Sequence, residues 1–112
     1  MGREIRNRIY HITKGMPKSE TYNLVPQMRR AAISVTANIA EGYGRYHFQE
    51  NIQFLRMARG SLYELLDHIT TCNDLGYISD EINTELNNLL YLNIKKVNGY
   101  ISYLEKRKHG EK

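Results

Sequence analysis

Tryptophan is absent from the 112-residue sequence, cysteine occurs once and proline twice. The single thiol, Cys72, closes no disulfide within the chain and matches no zinc-ligand spacing, so packing alone must hold the fold, and a reducing, cytoplasmic setting is expected. Long apolar runs are missing too. The longest uncharged apolar stretch, residues 31–40, is about ten residues, where a membrane span needs ~20, and no membrane partner is expected. Residues 1–6 carry charge without a continuous apolar segment, which argues against a secretory signal. Strict two-residue alternation and Asn-Gly or Asp-Gly turns are also lacking, which argues against a sheet. What remains is 41% hydrophobic and 25% charged, the composition of one small domain spanning 1–112, and a multidomain enzyme is excluded.

The net charge of +4 is unevenly distributed. Residues 1–60 hold ten basic and four acidic side chains, residues 61–94 hold six acids and no Lys or Arg, and residues 95–112 hold six basic and two acidic. This basic, acidic, basic order fits either a polyanion-binding face or complementary contacts between subunits.

Helical spacing accounts for nearly the whole chain. Ile5, Ile9, Ile12 and Met16 form one stripe of a first helix, Arg3–Lys14, which Gly15 and Pro17 end. Residues 17–25 link it, with room for a short helical turn, to a second helix over residues 26–41, with Pro26 at its first position and Gly42 as its stop. A third helix over residues 48–75 carries Phe48, Ile52, Leu55, Ala58, Leu62, Leu65, Ile69 and Cys72 at steps of three and four, and Gly76 closes it. Ser79 caps a fourth helix over residues 80–108, whose stripe is Ile82, Leu86, Leu89, Leu90, Val97, Tyr100, Ile101 and Leu104. Lys106, Arg107 and Lys108 suit the dipole of its last turn, and the final residues are expected to fray. Short connections favour an all-α, antiparallel, up-down-up-down four-helix bundle. Residues 31–40 are uncharged all round, so the second helix is expected to be covered by another subunit or to be the most central helix of the monomer.

Glu64, His68 and Cys72 lie at i, i+4 and i+8, so the outer two are ~12 Å apart and cannot ligate one ion together. No metal site and no cofactor are expected. His11, His47 and His109 stand alone, the serines have no nucleophile-elbow context, and residues 42–44 are too short for a phosphate-cradling loop. No catalytic residue is identifiable, and an enzyme using Glu64 and His68 ranks last. Arg30, Ser34, Ala37 and Glu41 share a helix face, and Arg30 and Glu41 with Asn38 and Glu64 could form a polar network fixing register and subunit pairing, with Glu64 pairing Arg29 or Arg30, the alternative being an anion site. Gly60 with Ser61, and Gly99, mark places where a neighbouring helix could approach closely. Lys14, Lys18, Arg29, Arg30, Arg45, Arg56 and Arg59, with Tyr43 and Tyr46, make a candidate phosphate-and-stacking surface.

One stretch is more specific. Gln27, Arg29, Arg30, Ala31, Ser34, residues 38–42 and Arg45, followed by Phe54, Leu55, Ala58, Gly60, Ser61, Glu64 and Leu65, match QxRRAxxSxxxNIAEGxxR and then FLxxAxGSxxEL. With Ile9, Tyr10, Thr13, Lys14 and Pro17 upstream, the chain resembles the small proteins encoded in bacterial large-subunit ribosomal RNA intervening sequences. That resemblance implies a homopentameric barrel of four-helix bundles, no known catalysis and a suspected nucleic-acid role. It also implies kinship with accessory subunits of retroelement reverse transcriptases, so a reverse transcriptase joins RNA, DNA and the chain itself among the expected partners. The sequence thus supports a non-enzymatic RNA- or DNA-binding oligomer, with a protein-interaction scaffold joined by its charged segments as the rival.

Overall fold

The computed structural model describes residues 1–110. Four helices follow one another: α1 Arg3–Lys14, α2 Leu24–Tyr43, α3 Phe48–Asp74 and α4 Asp80–Gly110, with a 3-10 turn Lys18–Glu20 between the first two. They form an antiparallel bundle with principal extents of 54 × 24 × 17 Å. Helix α4 continues two residues past its expected end, through His109 and Gly110, and the rest of the expected fraying falls on residues 111 and 112, outside the described residues.

Helix α3 is the spine, with α2 and α4 packed along it. Seven of its eight seam positions, Ile52, Leu55, Ala58, Leu62, Leu65, Ile69 and Cys72, are buried, and only Phe48 at the first turn is half-exposed. From α4, Leu86, Leu90, Val97, Ile101 and Leu104 complete the core as their spacing predicts, joined by Ile94 and by Asn93, which breaks the apolar pattern. Each large side chain buried in this way contributes about 1.5–3 kcal/mol. The central position therefore belongs to α3 and not to α2. Helix α2 buries Met28, Ala31, Ala32, Val35 and Ile39 against α1 and α3, yet leaves Ile33, Ala37 and Ala40 on an outward stripe.

The ends of the helices follow local rules. Ser79 caps α4, accepting a hydrogen bond from Ile82 N–H at 3.1 Å. Gly76, at φ +76°, closes α3 with Tyr77 N–H donating to the Cys72 carbonyl and Gly76 N–H to the Asn73 carbonyl, a Schellman arrangement. Two expectations at α2 need correction. Its first residue is Leu24, two before Pro26, which the fold accepts because the first-turn N–H groups have no intrahelical acceptor. Gly42 does not stop it either. The helix runs through Gly42 to Tyr43, and a Cβ at position 42 would stand 2.5 Å from Asn51 Oδ1 and 3.3 Å from Phe54 Cβ, so glycine serves there as a close contact between α2 and α3.

Helix α1 is short and covers only part of the bundle. Gly2 N–H donates to Asn93 Oδ1 at 3.0 Å, and Arg8 pairs with Glu85 at 3.1 Å, so α1 runs antiparallel to α4 over residues 85–93. Its other neighbour is α2, where Arg29 Nε donates to Thr13 Oγ1 at 2.8 Å. The path of the chain before α1 is tight: Gly2 sits at φ +87°, and a Cβ there would approach Val35 Cγ1 to 2.8 Å. Beyond this point the α2–α4 face has no fourth helix over it.

Candidate nucleic-acid interface

The nine basic and aromatic residues singled out in the sequence do not form one surface. Lys14 and Lys18 are exposed near the start of α2, while Tyr43, Arg45 and Tyr46 lie at its far end, ~30 Å away for a helix of 20 residues. Between them, Arg29 is a packing residue, its guanidinium 4.7 Å above the Tyr10 ring and its Nε on Thr13, so it fastens α1 to α2. Arg30 is exposed on the outer face of α2. Arg45 pairs with Glu41 at 2.8 Å and Glu50 at 3.9 Å and lies 5.0 Å over Phe54. Along the α3–α4 seam, Arg56 meets Glu105 at 3.3 Å and Arg59 donates to Asn98 Oδ1 at 2.7 Å. Only Arg59 among these three keeps its charge unmatched by a carboxylate.

The polar network expected of Arg30, Asn38, Glu41 and Glu64 is likewise resolved into separate local pairs within the chain. Asn38 donates to the Ser34 carbonyl and hydroxyl, Glu41 takes Arg45, and Glu64 takes His68 at 3.2 Å. The reason is reach: Arg30 and Glu41 share a face but stand three turns apart, ~16 Å along the axis, while Arg45 is one turn from Glu41. The α2–α3 contact is made instead by Ser61 Oγ donating to Ser34 Oγ at 2.9 Å. Gly60 and Gly99, expected to admit a neighbouring helix, face open space within the chain. Cys72 is buried against Met28 Sδ at 3.7 Å, and its thiol is pushed up to about 11 by burial and, secondarily, by Glu20, so it stays protonated at neutral pH. No group of three or more metal-ligating side chains occurs among the described residues.

A different cluster gathers where α1 ends its cover. Lys96, Tyr100, Tyr103 and Arg107 follow one another at steps of four, three and four along α4, and Tyr43 reaches them from the end of α2. The Tyr43 and Tyr100 rings meet edge to face at 5.7 Å, the Tyr100 and Tyr103 rings at 6.1 Å, and the Arg107 guanidinium lies 6.0 Å from the Tyr103 ring. Tyr100 is half-buried, and burial pushes its phenol up. Tyr43 and Tyr103 are more than half exposed. An open depression of about 400 Å³, lined by Tyr103, Lys106, Arg107 and Gly110, adjoins the rings. The signal in the sequence is a pair of tyrosines flanked by basic residues at helical spacing. Along the chain it is masked, because Tyr100 fits the core stripe and Lys106, Arg107 and Lys108 fit a helix dipole.

Folding also sorts the charge by position along the bundle. The half containing the α2–α3 turn and the end of α4, residues 41–60 and 95–110, holds eight basic and three acidic side chains. The half covered by α1, residues 1–40 and 61–94, holds seven basic and eight acidic. The N-terminal basic segment therefore lies alongside the acidic one, as the Arg8–Glu85 pair shows, and the positive charge is left over at the opposite end.

Fold and surface together define a class: a small, all-helical bundle with an open aromatic and basic end and no grouping of side chains built for metal chemistry among the described residues. The 23S rRNA-intervening sequence protein family model matches residues 1–99, and the chain belongs to that family. A crystal structure of a protein with unknown function from the S23 ribosomal protein family of Bacteroides thetaiotaomicron is similar in fold, with a TM-score of 0.83, 22% sequence identity, and coverage of 89% of this chain and 94% of that one. No curated protein matches the chain. No helix among the described residues is long and apolar enough to cross a membrane.

Proposed function

We propose that this chain is a non-catalytic, homo-oligomeric nucleic-acid-binding protein that meets RNA or DNA phosphates with its basic end. The observation that carries this reading is the sorting of charge along the bundle, with eight basic against three acidic side chains in one half and near balance in the other. A concentrated excess of that kind releases counterions from a polyanion, whereas scattered lysines and arginines do not act together. Oligomerisation is supported by the outward stripe of α2, where Ile33 is 46% exposed beside Ala37 and Ala40, with Met57 of α3 56% exposed nearby. The pentamer implied by family resemblance fits this reading, as does service as a reverse-transcriptase accessory, in which the same basic end would hold nucleic acid beside a polymerase.

The test is fluorescence anisotropy of labelled RNA and DNA against the oligomer through a salt series. Log affinity is expected to fall linearly with log salt, and reversing Lys106 and Arg107 to Glu is expected to weaken binding and reduce the slope. Reversing Lys14 and Lys18 at the other end is expected to leave both almost unchanged. An absence of binding at low salt would instead leave the protein-interaction scaffold in front. Equal effects from the two pairs of reversals would remove the basic end as the site.

A further inference from the structure

We propose that the Tyr43–Tyr100–Tyr103 cluster is a stacking site for single-stranded nucleic acid, with the exposed Tyr103 ring, beside the Arg107 guanidinium, receiving an unpaired base and Lys96 and Lys106 holding the flanking phosphates. This deepens the nucleic-acid reading above and rests on it. Three observations converge. The rings are pre-arranged: Tyr100 is half-buried and meets both neighbours edge to face, at 5.7 and 6.1 Å, so Tyr103 is backed by a fixed partner while remaining 54% exposed. A depression of about 400 Å³ adjoins Tyr103, within the ~300–1,000 Å³ range of small-ligand clefts. Basic residues flank the rings along the same helix, one turn before Tyr100 and one turn after Tyr103.

Charge selects the occupant. A second copy of the chain offers little counter-charge, since even its other half is nearly balanced at seven basic and eight acidic side chains, whereas a polyanion is attracted. Stacking then selects the form of nucleic acid. A duplex keeps its bases stacked on each other, while a single strand can turn one onto an aromatic ring, a contact tolerant of sequence because every base has a π-face.

The experiment uses the full-length protein, a single-stranded RNA, a single-stranded DNA and a duplex of the same sequence. Tyr103→Ala is expected to weaken both single strands about tenfold while leaving duplex affinity unchanged, so the ratio between them falls. Tyr103→Trp is expected to restore affinity, and because the chain has no other tryptophan its emission reports directly, quenching as the strand binds. If the protein binds nucleic acid but Tyr103→Ala alters neither strand, or if the Tyr103→Trp emission is unmoved by a bound strand, the stacking site is overturned and the phosphate-binding reading stands. If the protein binds no nucleic acid at all, both fall together. If Tyr103→Ala lowers the mass measured by light scattering, the cluster is a contact between copies and the proposal is wrong.

Discussion

At the residue scale, Gly42 shows how one position is set by a neighbour that the sequence does not put beside it. Read along the chain, a glycine after a run of small residues is a helix stop. In space it lies inside α2, buried against Asn51 and Phe54, and the true end comes at Gly44, whose N–H donates to the Glu41 carbonyl at 3.2 Å. Gly42→Ala is expected to destabilise the fold by about 1–3 kcal/mol, because the added methyl must displace the Asn51 amide or part the helices. Thermal unfolding would read this as a drop in Tm. Gly60→Ala provides the contrast. Nothing lies within 4 Å of a Cβ there, so the exchange is expected to be neutral or mildly stabilising in a helix interior.

At the scale of the element, all four helices were legible because their apolar residues recur at three and four, and the Ser79 and Gly76 boundaries because their capping chemistry is local. The reach of α1 was not legible. It depends on the turn at Gly2 and its bond to Asn93, a residue 91 positions away that the apolar pattern passes over. Arg29 escaped for a similar reason, since an arginine beside another reads as surface charge until Thr13 and Tyr10 are placed against it. Arg29→Ala is expected to loosen α1 by about 1–2 kcal/mol through loss of one hydrogen bond and one cation–π contact. Hydrogen exchange would show faster amide exchange in α1 than in α3, and nucleic-acid affinity would not change.

At the scale of the whole molecule, the sequence disclosed the amounts of charge but not their placement. Three blocks of alternating sign become two halves only because α1 and the start of α2 fold back beside the acidic stretch. The same holds for the candidate interface: Tyr43 is visible in the sequence as a loop residue, but its neighbour Tyr100 on α4 comes from 57 positions away. The outward stripe of α2 is the other feature that belongs to the assembly. Ile33→Lys is expected to leave the helical content unchanged, since the residue is 46% exposed, while reducing the mass seen by light scattering. An unchanged mass would remove this stripe from the subunit contact.

An elongated body, 54 Å long, with its positive excess at one end has a large electric dipole moment along its length. Such a particle would turn in the field of a polyanion before touching it, so the binding proposed above would begin with end-on encounters whose rate falls with ionic strength. Cyclic symmetry has a further effect: components of the dipole across the ring cancel, while components along its axis add. Any closed ring whose subunits stand with their long axes upright would therefore have one electropositive rim and one nearly neutral rim, and the two mouths of such a barrel would be electrically unlike.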